Sequence, residues 1–187
     1  MSIISTRTVR MKSGREITLR SAEPDDAEQL VNMIKTILTE NDFNITTPEE
    51  FRFSPDQEME WLEDVSESPG HVVIVAEYES ELLGMLNFHV DPRKRMKHHG
   101  SLSINISRAW RDQGLGRTML QALIAWAEEQ ASIEKLNLEV FATNARAIAL
   151  YRSLGFQQEG YLAKQIKMAP DVYVDVLLMG LWLKKLL

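Results

Sequence analysis

Short stretches of strict alternation between apolar and polar residues, separated by runs of helical periodicity, organise this chain. Leu102, Ile104 and Ile106 alternate with Ser103, Asn105 and Ser107, a period of two that predicts a strand. Leu115, Met119, Ala122, Leu123 and Trp126 then recur at the spacing of one helix face. Leu136, Leu138 and Val140 alternate with Asn137, Glu139 and Phe141 as a second strand. An alanine-rich run follows, with Asn144 as its natural N-cap and Gly155 as its natural stop, and this predicts a second helix.

The flanking segments read in the same way. Residues 8–12 and 16–20 around Ser13-Gly14 predict a hairpin. Pro24, Asp25 and Asp26 open a helix carried on by Ala27, Leu30, Ile34 and Leu38. After a polar, irregular stretch over residues 40–53, Ser54, Pro55 and Gln57 form a capping-box signature ahead of Met59, Leu62 and Val65, so another helix is expected. Two apolar runs, 71–78 and 82–90, read as a hairpin buried on at least one side, and the chain closes with a pair of strands, through Tyr161 and from Val172 to Trp182.

At 187 residues with 44% apolar content, the chain suits a single domain over residues 1–187 with a sizeable core. The net charge of -6 gives no general nucleic-acid signal. With no cysteine there is no disulfide, no thiolate nucleophile and no zinc–thiolate site, which fits the cytosol. Met1-Ser2-Ile3-Ile4 does not lead into the apolar core of a signal peptide, and no run approaches membrane-spanning length, so a soluble, cytoplasmic protein is expected. The adjacent His98 and His99 lack a helical or carboxylate frame, so no metal site is assigned.

Candidate chemistry sits at the junction of the first strand and helix, in Arg111-Asp112-Gln113-Gly114-Leu115-Gly116-Arg117-Thr118. The first amides of a helix have no intrahelical partner and the macrodipole is positive there, so backbone N–H groups can converge on an anion. Gly114 and Gly116 lack the Cβ that would hold a phosphate away. Such glycines can also serve only to turn the chain. The Lys-Ser or Lys-Thr that a Walker A nucleotide loop needs after its glycine is missing.

Taken with Asn144, Tyr151, Gly155 and Phe156 at their spacing, this segment resembles the GNAT superfamily of acetyl-coenzyme A dependent N-acetyltransferases. The pyrophosphate pattern of that superfamily is met by Arg111, Gly114 and Gly116, and its second region by the Asn144 to Phe156 set. The resemblance implies a mixed, mostly antiparallel α/β architecture, with a central sheet of about six to seven strands flanked by about four helices. It implies acetyl-CoA as cosubstrate, with amides of Asp112, Gln113, Gly114, Leu115, Gly116 and Arg117 on the pyrophosphate. Ile104, Asn105 and Ile106 would run beside the pantetheine arm and supply an N–H to the thioester oxygen. Asn144 would cap its helix and also serve that arm.

Tyr151 is the candidate general acid for the departing thiolate, since a phenol near pKa 10 stays protonated at neutral pH. Glu139, on the polar alternate of its strand, is either the general base or an ordinary solvated carboxylate. The implied reaction is direct attack by a primary amine in a ternary complex, the acceptor being a polyamine, a small amine or a protein or peptide amine. A non-catalytic acyl-CoA sensing module on the same fold is the alternative, and a homodimer is left open. The basic loop at residues 93–99 reads as solvated rather than as a contact for RNA or the cofactor's 3′-phosphate. Glu40, Asp42, Glu49, Glu50, Asp56, Glu58, Glu60, Glu63, Asp64 and Glu67, against Arg52 alone, form an acidic segment that is either an ordinary solvated helix surface or a field that favours a cationic acceptor.

Overall fold

In the computed structural model, residues 3–40 and 43–183 are described. The strands are β1 (Arg7–Arg10), β2 (Glu16–Ser21), β3 (Val72–Tyr78), β4 (Glu81–Val90), β5 (His99–Ile106), β6 (Lys135–Phe141), β7 (Gln157–Ala169) and β8 (Val172–Trp182). The helices are α1 (Ala27–Glu40), α2 (Pro55–Glu67), α3 (Leu115–Glu129) and α4 (Ala145–Ser153). The strands form one eight-stranded sheet in the order β1-β2-β3-β4-β5-β6-β8-β7, with the short β1 at one edge. Its described pairings are antiparallel except for the parallel pairing of β5 with β6. The chain divides into two compact units, Met1–His89 with Ser103–Trp126, and Val90–Leu102 with Ala127–Leu187.

In the first unit the β1–β2 hairpin turns at Gly14, whose φ of 86° is a conformation that glycine adopts without strain. The β3–β4 hairpin turns without glycine, through Glu79 and Ser80 at φ 49° and 66°, as a two-residue hairpin loop with both residues left-handed requires. The α2 start is a true capping box: Ser54 Oγ accepts from the Gln57 amide at 3.2 Å, and Gln57 Oε1 accepts from the Ser54 amide at 3.0 Å. Leu30, Ile34 and Ile37 of α1 pack with Leu62 and Val65 of α2 over Val73 and Val75 of β3. One part of the α2 expectation needs correcting, because Met59 is 38% exposed and Glu58 takes its place on the buried face with Leu62 and Val65.

Arg20 ties this unit together across the sequence. Its guanidinium donates to both oxygens of Asp26, at 2.7 and 2.8 Å, and to Glu77 Oε2. Burial alone would raise the Asp26 pKa, but the Arg20 bonds and charge and the Glu23 amide outweigh it and hold the carboxyl below its ordinary value. The helix face read from Leu115 through Trp126 is buried throughout, and Trp126 meets Phe88 edge-on with ring centroids 6.0 Å apart.

In the second unit β6 pairs with β5 at His99–Lys135, Gly100–Leu136 and Ser101–Asn137, and with β8 along its whole length, from Lys135–Trp182 to Phe141–Val176. Strand β5 thus begins at His99, inside the basic run that reads as loop in the sequence, because His99 and Gly100 are held by this ladder. Leu136, Leu138 and Val140 are buried as their alternation requires, and so is Phe141 from the polar alternate, where the strand ends against Val176. Among the described residues no helix is long and apolar enough to cross a membrane.

Candidate active site

The glycine turn in the first unit leads directly into the N-terminus of α3. Asp112 and Gly114 both lie at positive φ, 64° and 94°, so the peptide planes alternate in direction on the way into α3. The Thr118 amide donates to the Gly114 carbonyl at 3.1 Å, and the amides of Leu115 and Gly116 sit in the helix's first turn, ahead of that bond. A Cβ built on Gly114 would meet nothing within 4 Å. Arg111 Nε donates to the Ile106 carbonyl at 2.9 Å and Gln113 Nε2 to the Ala109 carbonyl at 2.5 Å. The first of these bonds ties the turn to the end of β5, bringing Ile104, Asn105, Ile106 and Arg111 to Arg117 into one local structure.

Ile104, Asn105 and Ile106 are all half-buried, so the simple in–out alternation read from the sequence fades over this end of the strand. Gly84 of β4 explains how closely β5 approaches there. A Cβ on Gly84 would stand 2.8 Å from the Asn105 carbonyl oxygen and 3.2 Å from Ile106 Cγ1. Gly84→Ala is therefore expected to push the Asn105–Ile106 backbone aside and to cost about 1–3 kcal/mol of stability. Denaturant unfolding checks this, and an unchanged midpoint would show that β5 yields freely.

The second unit holds the other three candidates. Asn144 Oδ1 accepts from the Ala147 amide at 3.1 Å and caps α4, and Gly155 at φ 96° ends it. Tyr151 is only 7% exposed, its ring 5.8 Å from that of Phe156, and burial pushes its phenol up to about 12. Glu139 is exposed on β6, opposite Leu178 of β8. Asn144, Tyr151 and Glu139 therefore belong to one unit, and the glycine turn with the end of β5 to the other. Sequence reasoning missed Gly84 and the burial of Glu58, since each depends on which neighbour the fold brings close.

Comparison with known proteins identifies the family. The model of the acetyltransferase (GNAT) family matches residues 35–156. The L-amino acid N-acetyltransferase of Escherichia coli is 28% identical over 120 residues, covering 64% of this chain and 74% of its own length. The N-alpha-acetyltransferase of Sulfurisphaera tokodaii is 31% identical over 166 residues, 88% of this chain and 90% of that protein. A solved GNAT-family acetyltransferase from Streptococcus pneumoniae superposes with a TM-score of 0.86 at 28% identity, over 90% of this chain and 99% of that one. The chain belongs to the GNAT acetyltransferase family and is an acyltransferase.

Proposed function

We propose that this chain, acting as a single domain over residues 1–187, moves the acetyl group of acetyl-CoA to a primary amine by direct attack in a ternary complex. The observation that carries this reading is the turn over residues 111–117, with its positive-φ residues, its first-turn amides and the free room at a Gly114 Cβ. Acetyl-CoA, when bound, supplies an acetyl thioester. Amides of Asp112, Gln113, Gly114, Leu115, Gly116 and Arg117 would hold its pyrophosphate, and the backbone of Ile104, Asn105 and Ile106 would serve the pantetheine arm and offer one N–H to the thioester carbonyl. Asn144 caps α4 through its side-chain carbonyl. Tyr151 donates a hydrogen bond to the departing thiolate while water completes its protonation, and Glu139 takes the proton from the amine.

How much the base matters depends on the acceptor. An α-amine near pKa 8 is about one-tenth neutral at pH 7, whereas a lysine-like amine is neutral in only about four molecules per ten thousand. The two relatives are named for an L-amino acid and for N-alpha acetylation, which favours acceptors of the first kind. Glu139→Gln is expected to move the acidic limb of the kcat/KM profile. A profile of unchanged shape would hand the proton to water instead.

The cofactor assignment is tested by thermal stability in the presence of acetyl-CoA or of ATP. Acetyl-CoA at a hundred times its dissociation constant should add about 2.7 kcal/mol, and ATP should add none. Equal stabilisation by the two would favour a nucleotide site, and no stabilisation by acetyl-CoA would remove the pyrophosphate assignment.

A further inference from the structure

Apart from Glu58 the described acids over residues 40–67 are exposed, and Asp42 lies outside the described residues. A cation in the same unit is held in another way. Arg15, just before β2, is an exposed residue that makes no salt bridge among the described residues. Its guanidinium carbon instead stands 5.1 Å from the ring centroid of Trp110 and 5.8 Å from that of Tyr78. Both lie within the about 6 Å over which a ring face attracts a cation. The two rings are themselves 5.3 Å apart and tilted by 54°.

Three elements of the first unit meet at this cluster. Arg15 belongs to the β1–β2 turn, where the Met11 amide donates to the Arg15 carbonyl at 2.8 Å and the Gly14 amide to the Met11 carbonyl at 2.9 Å. Tyr78 ends β3. Trp110, 9% exposed, closes a single 3-10 turn over Arg108–Trp110, and its amide donates to the Ser107 carbonyl at 2.9 Å. The next residue is Arg111, where the glycine turn starts. That turn holds Asp112, a residue with a Cβ, at a φ of 64°. A non-glycine residue stays in the left-handed region only where its surroundings over-determine the backbone. Arg111 Nε on the Ile106 carbonyl fixes the turn from the side of β5, and the buried Trp110 ring fixes it at its entry.

We infer that Arg15 is a positioning residue: from the β1–β2 turn it holds the Trp110 ring, and through that ring the entry of the glycine turn. The inference rests on the acetyl-transfer reading for what the turn binds, and deepens it by naming a residue, remote in sequence, that keeps the turn in shape. A small displacement of a binding group costs far more than its size suggests, so loosening Trp110 is felt at the pyrophosphate.

The test uses Arg15→Met, which keeps an unbranched stem and removes the cation, and Arg15→Lys, which keeps a cation. NMR of the unliganded protein reads the turn directly. Arg15→Met is expected to lower the amide order parameters of Asp112, Gly114 and Gly116 from about 0.85 toward about 0.6, and to speed exchange of the Thr118 amide about fivefold, while the amides of β3 keep their protection. Arg15→Lys should stay close to the wild type. Calorimetry should show acetyl-CoA affinity weaker by about fivefold in Arg15→Met and within about twofold in Arg15→Lys, with kcat at saturating acetyl-CoA unchanged. Turn amides that keep their order parameters in Arg15→Met overturn the inference. A loss of protection in β3 as large as that in the turn does so too, since it would mark Arg15 as a general stabiliser. Undiminished affinity beside a loosened turn severs Arg15 from the cofactor and overturns the inference as well. If the wild type binds no acetyl-CoA, the pyrophosphate assignment fails, and the NMR comparison still decides whether Arg15 holds the turn.

Discussion

Replacing Tyr151 with phenylalanine is expected to lower kcat by about 10²-fold or somewhat more while acetyl-CoA affinity stays within a few-fold. The substitution keeps the ring against Phe156 and removes only the proton. Burial holds the phenol near 12, above its ordinary 10, so it stays protonated across the whole working pH range. A thiolate near pKa 8.5 does not take such a proton outright, since the difference of about 3.5 units amounts to about 5 kcal/mol. Tyr151 therefore acts chiefly as a hydrogen-bond donor that lowers the charge on the leaving sulfur, with water completing the transfer.

The pH dependence follows with its sign. Because the folded pKa is raised, Tyr151 contributes stability that is fully present below pH 10 and lost as pH climbs from about 10 to 12. Its ionisation should likewise leave kcat flat up to pH 10. A limb falling near pH 10 in the wild type and absent from Tyr151→Phe would show that the phenol titrates as it would in water. An unchanged kcat in the variant at saturating acceptor would retire Tyr151 as the donor.

Gly114→Glu is expected to weaken acetyl-CoA binding by about 10²-fold or more, because it sets a like charge where the pyrophosphate would sit. The site has room for the side chain, since a Cβ there meets nothing within 4 Å, but φ at 94° strains any residue other than glycine. That strain costs on the order of 1–3 kcal/mol, so Gly114→Ala serves as the control that shares it without the charge. Titration calorimetry on the folded variants should show a modest loss for alanine and near-complete loss for glutamate. Undiminished affinity in a folded Gly114→Glu protein would contradict the anion seat.

Local devices were legible before any fold was known. The Ser54–Gln57 capping box, the Asn144 cap, the Gly155 stop and the buried face from Leu115 to Trp126 all depend on residues a few positions apart, and all are present. Features set by distant partners were hidden. Nothing near Arg20 announces Glu77, 57 residues away, and nothing near Gly84 announces the Asn105 carbonyl. Glu58 fell between these cases: its spacing to Leu62 and Val65 is that of a buried face, but its charge placed it with the solvated acids around it. The glycine turn was visible as a pattern, and the positive φ of Asp112, which completes its shape, was not.

Thiol release from acetyl-CoA tests the central claim most directly, measured against a panel of polyamines, amino acids, aminoglycosides and short peptides with the acetylated product quantified alongside. At least one amine is expected to release thiol in equal amount to its own acetylated form, and Gly114→Glu to abolish both signals together. Thiol release no faster than spontaneous hydrolysis with every amine, from a protein that still binds acetyl-CoA, would contradict acetyl transfer and leave a cofactor-binding module in its place.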